Sequence, residues 1–75
     1  MPPMRSVFSS NVDRVGHDTS TGDLHVQWTT GKTSVYSGVP AEVADEVMTS
    51  WSVGGAVRSR IKGAYPHRYL GGSDE

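Results

Sequence analysis

The sequence predicts an α+β domain: a small antiparallel β-meander of three or four strands, followed by two short α-helices packed on one face. Two patterns carry this prediction. Apolar and polar residues alternate between positions 24 and 29, which is typical of a strand with one buried face. Between positions 40 and 51, apolar residues recur at intervals of three and four, which is typical of an amphipathic helix.

The clearest predicted strand spans residues 24–29. Leu24, Val26 and Trp28 alternate with polar residues that include His25, so the first three are expected in the core and His25 at the surface. Because both tryptophans of the chain fall on apolar faces, we expect both to be buried and propose neither as a ligand platform.

Weaker strand patterns flank this segment. Residues 11–18 carry two valines in a polar context, and residues 33–36 (TSVY) return after a tight turn at Gly31. Residues 5–8 could extend the sheet by a fourth strand. A hairpin alone is marginally stable in water, so the sheet needs helices across its apolar face.

Two helices are predicted to provide this cover. Pro40 suits the start of the first helix, and Ser52 suits the start of the second. Gly63 suits the end of the second helix, where a left-handed residue often follows. The predicted buried stripes are Pro40, Val43, Ala44, Val47, Met48 and Trp51 in the first helix, and Val53, Val57, Ile61 and Ala64 in the second.

Length and composition bound the protein class. The 75 residues suit one domain, which we place at residues 1–70, with residues 71–75 as a disordered C-terminal tail. The chain has no cysteine and a formal net charge of −1, which exclude disulfides and a globally basic nucleic-acid coat. No segment resembles a signal peptide or a membrane span, so we expect a cytoplasmic protein without membrane contact.

Few residue patterns point to catalysis or metal binding. The chain lacks the G-x-S-x-G spacing of a serine nucleophile, and the adjacent Asp45 and Glu46 diverge on a helix. Of the three histidines, we interpret His17 and His25 as surface residues of neighbouring strands rather than as metal ligands. We therefore expect a non-enzymatic protein with no cofactor and no metal.

The glycine pair Gly54-Gly55 has two interpretations. Free N–H groups at a helix start attract anions, but the sequence lacks the complete phosphate-binding loop. Close packing at the glycines is the favoured interpretation, and anion binding at this helix start is left open.

A basic segment lies near the end of the chain. Four of the seven basic residues fall between positions 58 and 68, where there is no acid. Arg58 and Lys62 are four apart and share a helix face. Cations bind phosphates, and aromatic rings stack on unpaired bases with about 1–3 kcal/mol each. The alternative is that Tyr65 anchors the helix end in the core while the cations are merely solvated.

Several short motifs also occur along the chain in a characteristic order. They are Ser9-Ser10, Val12, Val15-Gly16-His17-Asp18, Leu24, Val26, Trp28, Gly31, Tyr36, Gly38-Val39-Pro40, Ser52-x-Gly54, Ile61-Lys62 and Tyr65. In this order they resemble the KTSC domain, over nearly everything from Arg5 to Tyr65. That domain occurs at the C-terminus of some lysyl-tRNA synthetases and as a stand-alone bacterial or phage protein, and its attachment to a synthetase suggests RNA binding by analogy.

The chain departs from the family pattern at aromatic positions. The central Tyr-x-Tyr of the family is Ser34-Val35-Tyr36 here, so only Tyr36 carries over. His17 and Val57 stand where the family usually has an aromatic residue. An aromatic RNA-stacking surface is therefore depleted in this member.

These observations lead to two functional hypotheses. The first is a small module that binds RNA or single-stranded nucleic acid, with Tyr36 on a base. The phosphate contacts would be Arg58, Arg60, Lys62 and Arg68. The alternative is a protein-interaction module, such as a phage or bacterial accessory factor that binds a host protein. The near-zero net charge and the reduced aromatic set favour this alternative. The oligomeric state does not follow from the sequence.

Overall fold

A computed structural model describes residues 3–7 and 9–70 of the chain. The strands are β1 (Arg5–Ser6), β2 (Val12–Asp18), β3 (Asp23–Trp28), β4 (Thr33–Tyr36) and β5 (His67–Tyr69). The helices are α1 (Ala41–Thr49) and α2 (Val53–Ala56), and α2 continues into a π-helical turn (Val57–Ile61). The tail predicted at residues 71–75 lies outside the described residues.

All five strands form one antiparallel sheet in the order β1-β2-β3-β4-β5. This confirms the prediction of an α+β fold with an antiparallel sheet and two helices. The predicted number of three to four strands is wrong, because the described residues form five. The additional strand, β5, follows the helices and pairs with β4, with Val35 opposite Arg68. Only three residues long, it has too short a pattern to be recognised in the sequence.

The core lies between the sheet and the helices. Leu24 and Val26 of β3 are fully buried, as the alternation predicts, and pack in one cluster with Val47 of α1. Val57 and Ile61 of the π-helical turn complete this cluster. Each such side chain contributes about 1.5–3 kcal/mol when it leaves water, so this cluster is the main stabilising element of the fold.

Trp51 is the clearest error of the sequence prediction. Its side chain is 95% exposed, although it continues the apolar stripe of α1. The helix ends at Thr49, and Ser50 takes an extended conformation with ψ 141°. Helical spacing applies only while the backbone is helical, so this change of direction carries Trp51 away from the core.

His25 is buried rather than exposed. It is 6% accessible, beside the fully buried Val35 on the face of the sheet opposite the core cluster. Arg68 of β5 crosses this face, since its guanidinium donates hydrogen bonds to Ser37 Oγ at 3.2 Å and Asp23 Oδ2 at 3.4 Å. A side chain from a strand that is distant in sequence therefore covers a face that the alternation pattern alone predicts to be exposed to solvent.

The second helix differs from a regular α-helix at its end. The amide of Lys62 donates to the carbonyl of Val57 at 2.8 Å, five residues back, which defines the π-helical turn. Gly63 follows with φ 85°, so the predicted end of this helix is confirmed. Ala64, predicted on the apolar face, lies beyond this end and is exposed.

Candidate functional site

A cleft of about 440 Å³ opens beside the outer strands of the sheet, between the β3–β4 turn and the π-helical turn. Such a volume lies within the range of roughly 300–1,000 Å³ that ligand sites occupy. We call it the aromatic–basic cleft. Its lining residues are Asn11, Trp28, Thr29, Thr30, Lys32, Ser34, Tyr36, Arg58, Lys62, Gly63, His67 and Tyr69.

Three rings from β4 and β5 form one wall of the cleft. The imidazole of His67 stacks on Tyr36 with 5.1 Å between ring centroids, and Tyr69 meets His67 edge-on at 4.8 Å. Strand pairing explains this contact, because Tyr36 lies opposite His67 in the β4–β5 register. Tyr36 itself is only 3% exposed, whereas Tyr69 is 46% exposed. The ring open to a ligand is therefore that of Tyr69.

Burial also affects the acidity of Tyr36. Desolvation raises the pKa of its phenol, and a hydrogen bond with Ser34 offsets part of this rise. The hydroxyl consequently stays protonated in the cleft wall at neutral pH.

Trp28 forms the floor of the cleft with Ser34. Its indole Nε1–H donates to Ser34 Oγ at 2.8 Å, and its ring packs against the core while remaining half-buried. The sequence prediction of a fully buried Trp28 is therefore only partly right. Ser34 is 2% exposed and fixes the indole through this hydrogen bond.

Three cations border the cleft. Lys32 comes from the β3–β4 turn, and Arg58 and Lys62 come from the π-helical turn and its end. The shared face predicted for Arg58 and Lys62 is thus present. Lys32 Nζ lies 5.6 Å from the ring centroid of Tyr69, within the range of a cation–π contact. No lining residue is acidic, so the cleft presents positive charge in a chain that is neutral overall.

Arg60 and Arg68 lie elsewhere. Arg60 points toward α1, where its Nη1 is 2.7 Å from Glu46 Oε1. Arg68 crosses the opposite face of the sheet and pairs with Asp23 at 3.4 Å. Of the predicted contact residues, the structure therefore gathers Tyr36, Arg58 and Lys62 at the cleft and places these two arginines away from it.

Sequence reasoning missed four aromatic or basic residues of the cleft. The alternation pattern assigns Trp28 wholly to the core, and Lys32 stands in a turn whose position depends on strand pairing. His67 lies in the basic segment and Tyr69 directly follows it, but neither is among the predicted contacts. His67 and Tyr69 are two positions apart, so both rings lie on the same side of β5. This spacing is the signal in the sequence that predicts a shared face, once the segment is recognised as a strand.

The histidines have separate environments. His17 Nε2 is 2.8 Å from the carbonyl oxygen of Val39 and ties β2 to the loop before α1. His25 is enclosed on the other face of the sheet, and His67 lies in the cleft. Among residues 3–7 and 9–70, no three histidine or carboxylate side chains are gathered as metal ligands would be.

Within the same residues, none of the helices has the length and apolarity needed for a bilayer crossing.

Comparison with known proteins identifies the family. The family model of the KTSC domain matches residues 8–65, well over half of the chain. The chain belongs to the KTSC domain family. A crystal structure of a KTSC domain protein from Yersinia pestis is similar to this KTSC domain with a TM-score of 0.85 and 30% sequence identity. The similarity covers 92% of this chain and 97% of the Yersinia pestis chain. No curated protein matches the chain.

The family match bears on how the cleft is built. Trp28, Lys32, Arg58 and Lys62 lie inside the matched segment, whereas the whole of β5 follows its end at residue 65. In this KTSC domain, the exposed aromatic wall of the cleft is therefore supplied by residues that follow the segment matched by the family model.

Proposed function

We propose that this KTSC domain is a non-enzymatic module that binds single-stranded RNA through the aromatic–basic cleft. One observation carries the proposal: Lys32, Arg58 and Lys62 line the same cleft as the half-exposed ring of Tyr69, and no lining residue is acidic. Proteins that bind single strands combine a basic groove with aromatic rings on which bases stack. Paired strands hide their base faces, so an unpaired strand suits this cleft.

The assignment of the base contact moves from Tyr36 to Tyr69. Tyr36 is 3% exposed beneath His67, so a base cannot reach its face without displacing the imidazole. Tyr69 offers an open ring with Lys32 next to it. A base on Tyr69 would bring its phosphate near the ammonium, and the two contacts would support each other.

The ion pairs support Arg58 and Lys62 as the phosphate contacts. Among the described residues, carboxylates pair with Arg14, Arg60 and Arg68 but not with the three cations of the cleft. A phosphate at the cleft therefore competes with water alone. Three contacts of this kind give modest affinity with a strong dependence on salt.

The hydroxyl of Ser34 in the floor of the cleft is not placed for catalysis. Ser34 Oγ is buried and accepts a hydrogen bond from the indole N–H of Trp28. It is therefore placed to fix Trp28 and not to attack a substrate.

Fluorescence anisotropy with a labelled single-stranded RNA tests the proposal. The RNA should bind at about 50 mM salt, and binding should weaken as salt rises. The slope of log K against the logarithm of the salt concentration should be roughly −0.7 for each phosphate contact, hence about −2 for three. Arg58→Ala and Lys62→Ala should each weaken binding and flatten the slope. Arg60→Ala is the matched control on the same helix and should change little. Absence of binding at low salt, or equal losses for Arg60→Ala, would overturn the proposal.

A protein partner is the second candidate, and the outer edge of β5 favours it. Within the described residues, β5 pairs on one side only, with β4, and both Tyr69 and the residue after the strand, Leu70, are exposed. An extended peptide could add to such an edge through main-chain hydrogen bonds. Capture of the same protein from nuclease-treated lysate, lost in Tyr69→Pro, would support this candidate instead.

A further inference from the structure

Trp51 is the most exposed large apolar side chain among the described residues. It is 95% accessible in the connection between α1 and α2. The connection is itself ordered by hydrogen bonds, because Ser50 N–H donates to the carbonyl of Val47 at 3.3 Å and Ser52 N–H donates to Ser50 Oγ at 3.2 Å. The indole is thus held out from the surface and has no part in the core.

A second, smaller cleft of about 360 Å³ lies beside this indole. Its lining is polar and carries one positive charge, from Arg58, and no negative charge. The lining residues are Ser9, Ser10, Asn11, Trp51, Ser52, Gly54, Gly55 and Arg58.

The two clefts are adjacent. Asn11 and Arg58 line both of them, so Arg58 is shared by the cleft that holds Tyr69 and the cleft that holds Trp51. Neither lining contains a carboxylate. One cleft has the exposed ring of Tyr69, the other has the exposed indole of Trp51, and the cation Arg58 belongs to both. This arrangement matches the alternation of bases and phosphates along a single strand.

We propose that Trp51 is a second base-stacking platform, so that one RNA strand runs from Tyr69 past Arg58 to Trp51. This inference rests on the proposed function and extends it, because it makes the ligand a strand of several nucleotides and not a single nucleotide. The occupant follows from charge: an anionic strand complements the uniformly positive or neutral lining of both clefts. Trp51 would stack on a base toward one end of the bound strand, and Tyr69 would stack on a base toward the other end.

Because Trp51 is exposed, its side chain can be removed without disturbing the fold. Since the indole contributes nothing to the core, Trp51→Ala should fold as the native chain does, which circular dichroism and thermal unfolding would verify. Leu70→Ala is a matched control, because Leu70 is also an exposed apolar side chain but lines neither cleft. Tyr69→Ala reports on the first cleft separately.

The experiment compares labelled oligouridylates of two lengths, about four and about ten nucleotides, chosen because single-strand sites span roughly 4–16 nucleotides. The longer strand should bind the native protein more tightly. Trp51→Ala should weaken binding of the longer strand by about fivefold or more and leave the shorter strand unaffected. Quenching of the exposed indole emission by the longer strand should disappear in Trp51→Ala.

The remaining outcomes separate this inference from the proposed function. If Tyr69→Ala weakens both strands but Trp51→Ala weakens neither, the inference is wrong and the cleft proposal stands. Equal losses at both lengths in Trp51→Ala would also overturn it, because a distal platform acts only on the longer strand. If neither strand binds the native protein, both proposals fail, and a protein that binds native KTSC domain but not Trp51→Ala would identify the indole as a protein contact.

Discussion

The imidazole of His67 lies on the ring of Tyr36, with 5.1 Å between their centroids and 29° between their planes. The two residues are 31 positions apart in sequence and meet only because β5 returns to the sheet after the helices. This contact covers the ring of Tyr36, and the strand that supplies the imidazole also carries Tyr69. The candidate site thus depends on the last strand of the fold.

Removal of the stacked imidazole should change the acidity of Tyr36. Burial raises the pKa of the Tyr36 phenol, and His67→Ala opens the ring to water, so that pKa should move down toward its ordinary value. Absorbance titration of tyrosinate would measure this change, with Tyr36→Phe used to assign the transition among the three tyrosines. An unchanged transition would show that His67 does not cover the ring in solution.

Ser34→Ala should destabilise the domain by about 1 kcal/mol. The substitution removes the acceptor of the Trp28 indole N–H and leaves that half-buried donor unpaired. Ser37→Ala is the matched control, since the hydroxyl of Ser37 takes part only in an exposed hydrogen bond from Arg68. Urea unfolding should give a clearly smaller loss for Ser37→Ala, and equal losses would contradict a specific role for the Trp28 contact.

The two adjacent glycines of α2 should respond in opposite directions to alanine. A Cβ at Gly54 would lie 2.8 Å from Ser9 Oγ, which accepts hydrogen bonds from the amides of Asn11 and Val12. Gly54→Ala should therefore cost about 1–2 kcal/mol. At Gly55 the neighbour is the exposed Ser52 hydroxyl, which can rotate, so Gly55→Ala should be neutral or stabilising by up to about 1 kcal/mol.

A double-mutant cycle identifies the cause of this difference. In a Ser9→Ala background the oxygen that meets the new methyl group is gone, so Gly54→Ala should cost much less than in the native chain. Free energies of unfolding in urea for the four proteins give the coupling. Additive losses would mean that contact with Ser9 is not what excludes a side chain at position 54.

The stability of the domain should fall as the pH drops below neutrality because of His25. Burial lowers the pKa of this imidazole, and Arg68 lowers it further, while Asp23 and Asp18 act in the opposite direction with a smaller combined effect. The neutral form is therefore favoured in the folded state. This contribution is present above the pKa of the unfolded chain, about 6.5, and is lost as the pH falls through the lower folded value.

Thermal unfolding between about pH 7 and pH 5 would measure the effect. His25→Phe removes the titrating group and should flatten the profile over this range, even if the absolute stability of the variant differs. A His25→Phe profile as steep as that of the native protein would assign the effect to other groups.

The sequence alone determined what local geometry controls. The alternation of β3, the apolar stripe of α1 between Val43 and Met48, and the common face of Arg58 and Lys62 all follow from the repeat of a strand or a helix. These features extend over a few residues, so the chain pattern contains them completely. The order of its short motifs also identified the KTSC family.

The tertiary structure decided what depends on contacts between distant segments. The pairing of β5 with β4 created the cleft and buried Tyr36, and the reach of Arg68 across the sheet buried His25. Trp51 became exposed because α1 ends two residues before it. A periodic pattern gives the direction of a side chain only within one element. Packing of the whole domain decides where each element ends and which residues cover it.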